Sequence, residues 1–225
     1  MKINDLTFEE KVKIGDSDAL LIVDMQYDFI PGGALEVEGG DEIIDDINKI
    51  GKNFQNKDYY VLFTQDWHPK GHMSFASSHP GKEPSDEFET EGIGPILWPD
   101  HCVQGTHGAQ IHEDLDNTLG YAIIRKGYHP NVDSYSAFLE NDKKTETGLR
   151  GYLESLGIKR IFICGLALDY CCFASAIDGI DFGFEVYFLP YLSRAIDDPQ
   201  GNLSRALETM TEKGVKFARI QDMVF

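Results

Sequence analysis

Positive charge is scarce in this sequence: 20 lysines and arginines stand against 38 aspartates and glutamates, a net charge of -18. That balance repels phosphate backbones and anionic lipid, so neither nucleic acid nor a membrane surface is an expected partner. A neutral or cationic small substrate meets no such penalty. Long apolar runs are missing too, since none approaches the roughly 20 residues that a membrane span needs. The opening stretch MKINDLTFEEKVKIGDSD is polar and acidic, unlike a signal peptide. Cysteine is sparse at four, with no C-x-x-C pair, which argues against a disulfide framework or a dithiol redox motif. No internal repeat or low-complexity tract is present. The expectation is a cytoplasmic protein with reduced thiols. Its 225 residues, 42% hydrophobic and 26% charged, suit one globular domain over 1–225, with 1–17 as an N-terminal extension. No oligomeric state follows from the sequence, and a homo-oligomer is compatible with it.

Short apolar runs alternate with amphipathic stretches. ALLIVDMQ (19–26), YYVLFTQ (59–65), AIIRKG (122–127), RIFICGL (160–166), EVYFLP (185–190) and VKFARI (215–220) read as six strands. Helical spacing marks 41–50, 149–156 and 203–213, and Asp169 onward suits a helix start. Continuous apolar strands alternating with helices imply an α/β fold, a six-stranded parallel sheet covered on both faces in three α/β/α layers. Residues 68–111 are rich in Gly, Pro, His and Ser and too long for an ordinary connection, which marks them as functional.

Ligands of such sheets bind beyond the carboxyl ends of the strands. Asp24 ends the first strand, Gln65 and Asp66 the second and Lys126 the third; Gly165 to Cys171 follows the fourth. A thiol attacks as thiolate, and its pKa of about 8.5 falls at a helix N-terminus or beside a cation. Cys171 in a first helical turn, Lys126 as the cation and Asp24 as proton acceptor would make a nucleophilic set. Singly, each has a plainer reading: a buried small hydrophobe, a solvated strand end, a turn cap. Together at one sheet edge they point to a site. Cys172 is turned about 100° from Cys171 on a helix, so the two cannot face one pocket, and helix geometry alone does not choose between them. Cys164, inside a strand, reads as core.

The loop sequences QDWHPKGHMSFASSHP and WPDHCVQGTHG hold a second group. Asp66 and His68 share one side of an extended segment, with His101 and His72 as further candidates. A carboxylate with imidazoles suits zinc, or manganese or iron if waters complete the shell. His79, His107 and His112 read as surface or hydrogen-bonded histidines, and Cys102 as packing.

These residues carry a resemblance. DMQYDF with PGGAL, QDWHPKGHMSFASSHPG, WPDHCVQGTHGAQ, KGYHPNVDSYSAF and GLALDYCC resemble, in order and spacing, the nicotinamidases of the isochorismatase-like cysteine hydrolases. The likeness runs from about Ala19 to about Asp197. It implies a Rossmann-like topology and hydrolysis of nicotinamide to nicotinic acid and ammonia through a cysteine thioester, in NAD salvage, with pyrazinamide as a further substrate. It implies Cys171 as nucleophile rather than Cys172, Asp24 as acid and base, and Lys126 as their cationic support. It implies Asp66, His68 and His101 as ligands of one divalent metal ion, zinc first. His72 is a ligand position in some members only. Phe29, Trp98 and Tyr135 fall on positions flanking the substrate ring, and the backbone N–H groups of Ala167 and Cys171 on the oxyanion hole. A cis peptide between Leu166 and Ala167 is implied as well. The chain departs from the family in Leu168, where threonine is usual, in the acidic segment 82–95, and in the extension before Asp18. The nearest rival reading is another amidase of the same superfamily acting on a related carboxamide; a rival of another class, a non-catalytic metal-binding or redox protein with a thiol sensor built on Cys171 and Cys172, gives Asp24 and Lys126 no role.

Overall fold

The computed structural model describes residues 1–225. Its elements are β1 (Val12–Lys13), β2 (Asp18–Val23), α1 (Ile44–Gln55), β3 (Tyr60–Asp66), β4 (Ala122–Lys126), α2 (Leu149–Ser155), β5 (Arg160–Leu166), α3 (Phe173–Asp181), β6 (Glu185–Arg194), α4 (Asn202–Lys213), β7 (Lys216–Phe217) and β8 (Met223–Val224). Six of them form one sheet in the order β4-β3-β2-β5-β6-β7, and every pairing is parallel. No helix is long and apolar enough to cross a membrane.

The strand pattern explains the layering. All six residues of β2 are buried, and successive side chains of a strand point to opposite faces. Leu20 and Ile22 therefore join Phe63, Phe162 and Cys164 against α1, whose Ile44, Ile47, Ile50 and Phe54 recur at helical spacing. Ala19, Leu21 and Val23 join Leu62, Ile161 and Ile163 on the other face, under Leu149 and Leu153 of α2, Ala176 of α3, and Leu207 and Met210 of α4. The expected three layers are present. Several elements differ from the sequence expectation: α1 spans Ile44–Gln55 rather than 41–50, and β6 runs on to Arg194 rather than stopping at 190. The last strand shrinks to Lys216–Phe217, because only Tyr187 and Phe188 of β6 pair with it. The run after β5 begins as a π-helical turn, Leu168–Cys172, and becomes α-helical at Phe173. The N-terminal segment lies along the C-terminal edge: β1 pairs with β8, and Phe8 bridges Phe217.

The parallel sheet sends every strand's carboxyl end to one edge. At that edge β2 and β5 approach closely, and Gly165 (φ 111°) permits it. A Cβ there would stand 2.1 Å from the carbonyl oxygen of Val23. Asp24, φ 45°, turns the chain immediately afterwards.

Candidate active site

Three acidic or basic side chains and one thiol converge on this edge. Lys126, at the end of β4, is 1% exposed. Its Nζ lies 2.9 Å from Asp24 Oδ2, 3.1 Å from Asp66 Oδ1, 2.8 Å from the Ser134 carbonyl oxygen and 3.3 Å from Cys171 Sγ. It is no solvated strand end. Asp24 Oδ1 accepts a hydrogen bond from the Thr64 hydroxyl at 2.6 Å. Oδ2 touches Lys126 without hydrogen-bond geometry, so it keeps a lone pair for a proton.

Burial sets the protonation states. It pushes the Asp24 carboxyl up, outweighing the Lys126 charge, and the Asp66 charge adds to the rise. Burial also pushes the Cys171 thiol well above its usual range; Lys126 opposes this, while Asp24 and Asp66 reinforce it. Burial likewise disfavours the charged form of Lys126, yet Asp24, Asp66 and Cys171 hold its pKa well above normal. The expected activation of Cys171 by a helix end and a lysine is thus corrected. A thiol whose pKa is raised in this way needs a base to take its proton. Asp24, with its raised pKa and free lone pair, has the matching chemistry.

Asp66 divides its carboxylate. Oδ1 faces Lys126, while Oδ2 lies 3.0 Å from His68 Nε2 and 3.4 Å from His101 Nε2. His68 Nδ1 is 3.0 Å from the Gly127 carbonyl oxygen, and His101 Nδ1 is 2.8 Å from that of Pro99. Each Nδ1 therefore carries the hydrogen, and both Nε2 lone pairs meet the carboxylate oxygen. These donor atoms lie within 4.8 Å of one another and are buried. Three converging lone pairs call for a cation between them, and the N, N, O donor set fits a divalent metal. Burial opposes ionisation of Asp66, but the positive charge around it, that of Lys126 included, holds its pKa well below normal. Gly127, φ 65°, makes the cradle possible: a Cβ there would stand 2.5 Å from His68 Cε1 and 2.8 Å from Asp66 Oδ1.

His72 also lies near His68, with ring centroids 4.4 Å apart. Ligand atoms of His68, His72 and Asp133 also lie within 4.8 Å of one another. The chemistry of this second group differs. His72 Nδ1 accepts the Ser74 N–H at 3.1 Å, and Nε2 donates to the carbonyls of His129 and Val132 at 2.8 and 3.2 Å. No lone pair remains for a metal. His72 fastens loops together, and burial lowers its pKa, favouring the neutral form.

A small pocket opens beside Cys171. Phe29, Trp98 and Tyr135 line it as expected, with Ala167, Asp66 and His101. The Tyr135 hydroxyl donates to the Gly94 carbonyl and accepts from Trp98 Nε1, both at 3.0 Å, so it works as a brace. Leu35, Tyr170, Ile196 and Asp133 complete the lining and escaped the sequence reading. Ile196 lies two residues past the end of β6, which runs beyond the strand expected from the sequence. Leu166–Ala167 is cis. Leu168 lies in the core, Cys102 and Cys164 are buried, and Cys172 packs with its Sγ 3.7 Å from the Ser193 hydroxyl. A larger cleft of about 430 Å³ shares Tyr135 and Tyr170 with this pocket but none of the groups around Lys126.

A buried thiol, carboxyl and lysine at the carboxyl edge of a doubly wound parallel sheet define a cysteine-hydrolase-type site with a metal-type cluster beside it. The chain belongs to the isochorismatase family: residues 18–222 match the Isochorismatase domain. It is 45% identical over 208 residues to a nicotinamidase of Acinetobacter baylyi, covering 92% of this chain and 95% of that protein. Among solved structures, a nicotinamidase and pyrazinamidase of Acinetobacter baumanii superposes with a TM-score of 0.87 at 42% identity, covering 91% of this chain and 97% of that one. A pyrazinamidase of Pyrococcus horikoshii in complex with zinc gives 0.74 at 37% identity, covering 91% and 99%.

Proposed function

We propose that this protein is an amidohydrolase that converts nicotinamide to nicotinic acid and ammonia and also accepts pyrazinamide, acting as a single cytoplasmic domain in NAD salvage. The observation that carries the mechanism is the contact of one buried ammonium, Lys126, with Asp24, Asp66 and Cys171 together. In this reading Asp24 takes the thiol proton of Cys171, and the thiolate attacks the carboxamide carbon. Backbone N–H groups of Ala167 and Cys171 receive the oxyanion, each worth about 3 kcal/mol in comparable sites. Asp24 then protonates the leaving amine, ammonia departs, and a water deprotonated by Asp24 hydrolyses the thioester. Lys126 stays protonated and balances whichever of its neighbours is anionic. Phe29, Trp98 and Tyr135 hold the ring by stacking and apolar contact. Asp66, His68 and His101 hold the metal, zinc in this proposal, which when bound supplies a Lewis-acidic contact for a heteroaromatic nitrogen.

The test is ammonia release from nicotinamide and from pyrazinamide by the purified, zinc-loaded protein. Release from neither substrate by the folded protein would reassign the site to another carboxamide. A second measurement addresses the ligands. Asp66→Ala is expected to retain less than about a tenth of the wild-type zinc by elemental analysis and to raise KM by about tenfold or more. Full metal content in that variant would remove Asp66 from the ligand set.

A further inference from the structure

We infer that Gln26 is a positioning residue, a side-chain substitute for a missing strand that fixes Asp66 relative to the segment carrying His101. The inference rests on Asp66 and His101 acting as metal ligands.

The need arises from the strand ends. The pairing of β2 with β3 stops at Ile22 and Phe63, whereas β3 runs on to Asp66 beside β4. On its β2 side the backbone of Asp66 thus has no strand neighbour, and buried N–H and C=O groups without partners are costly. Gln26, 0% exposed, fills that place. Its Oε1 accepts the Asp66 N–H at 2.7 Å, and its Nε2 donates to the Asp66 carbonyl at 2.8 Å. One side-chain amide pairs with both polar groups of one residue, as a neighbouring strand would. The second Nε2 hydrogen goes to the Ala109 carbonyl at 2.9 Å. Both amide hydrogens are used, so the side chain has no rotational freedom left.

Ala109 lies on the segment that begins with His101. That segment is tied again to the start of the chain by the bridge between Gln26 and Ile111 and by the bond from Tyr27 N–H to the Gln110 carbonyl. Gln26 therefore sets the spacing between a carboxylate on β3 and an imidazole on a separate loop. A reciprocal bridge crosses the same gap from the other side: Thr64 accepts the Asp24 N–H at 3.1 Å and donates to Asp24 Oδ1.

The test compares Gln26→Met with Gln65→Met. Gln65 Nε2 donates to the same Ala109 carbonyl at 2.8 Å, and Oε1 accepts from Arg125 Nε at 3.1 Å, but Gln65 makes no side-chain bond to the Asp66 backbone. Zinc affinity of each apo-protein is measured by competition with a chromogenic chelator, beside a thermal melt. Gln26→Met is expected to bind zinc roughly 10- to 100-fold more weakly, and Gln65→Met within about threefold of wild type, with comparable losses of melting temperature. Unchanged zinc affinity in Gln26→Met, or equal weakening in both variants, overturns the inference while leaving the metal site intact. A wild type that binds no zinc removes the metal reading itself, and the inference falls with it. If Gln26→Met does not fold, Gln26→Asn, one methylene too short to reach both groups of Asp66, carries the same comparison.

Discussion

Replacing Cys171 with alanine is expected to lower ammonia release from nicotinamide by about 10⁴-fold or more, while Cys172→Ala stays within roughly threefold of wild type. The two thiols are sequence neighbours, both buried and both pushed far up in pKa by that burial. Burial therefore does not distinguish them; what faces each sulfur does. Cys171 Sγ lies 3.3 Å from Lys126 Nζ and lines the pocket, whereas Cys172 Sγ meets the Ser193 hydroxyl and lies within the core. Only Cys171 has beside it a cation to stabilise a thiolate. Removing one sulfur from a packed core costs about 1 kcal/mol, so Cys172→Ala melts slightly lower yet turns over. Ammonia assays on both folded variants check the pair, and comparable losses in the two would contradict the assignment of Cys171 as nucleophile.

Much of this site could be read from the chain because its residues sit where a parallel sheet must deliver them. Asp66 and Lys126 are paired in register at the ends of β3 and β4, and Asp24 follows β2 directly. Alternating apolar runs are enough to locate such strand ends. The parts that escaped depend on geometry without periodic pattern. The π-helical turn at Leu168–Cys172 closes with the Cys172 N–H bonded to the Ala167 carbonyl, five residues back, a spacing that apolar periodicity does not encode. Leu35 and Ile196 reach the pocket from loops far apart in sequence. The direction of the Cys171 shift was also hidden. A lysine and a helix start in the sequence suggested a lowered pKa, but the full burial of Cys171 and the charges of Asp24 and Asp66 became visible only in the fold. His72 gives the opposite lesson. Its motif position left its role open, and the carbonyls of His129 and Val132, some sixty residues on, decide it.

Lys126→Met should cost both stability and turnover, and the combination is the informative result. Methionine approximates the volume of lysine but leaves Asp24 and Asp66 without their shared cation in a site sealed from solvent. Removing one partner of a buried ion pair typically destabilises by about 3–5 kcal/mol. The lower end applies here, because Asp24, already pushed up by burial, can take a proton and relieve part of the repulsion. A loss of about 3 kcal/mol in a domain of this size lowers the melting temperature by roughly 6–12 °C. Turnover of the folded variant should fall by roughly 10³-fold, since the thiolate loses the one cation in contact with it and Asp24, once protonated, no longer accepts the thiol proton. A lysine that served packing alone would shift the melt without changing kcat of the folded protein. One that served only the chemistry would leave the melt in place. Thermal unfolding and initial rates measured on the same preparation separate these cases. An unchanged melting temperature would mean that Asp24 and Asp66 are not both ionised around Lys126, which would undo the charge balance on which the roles of Asp24 and Cys171 depend.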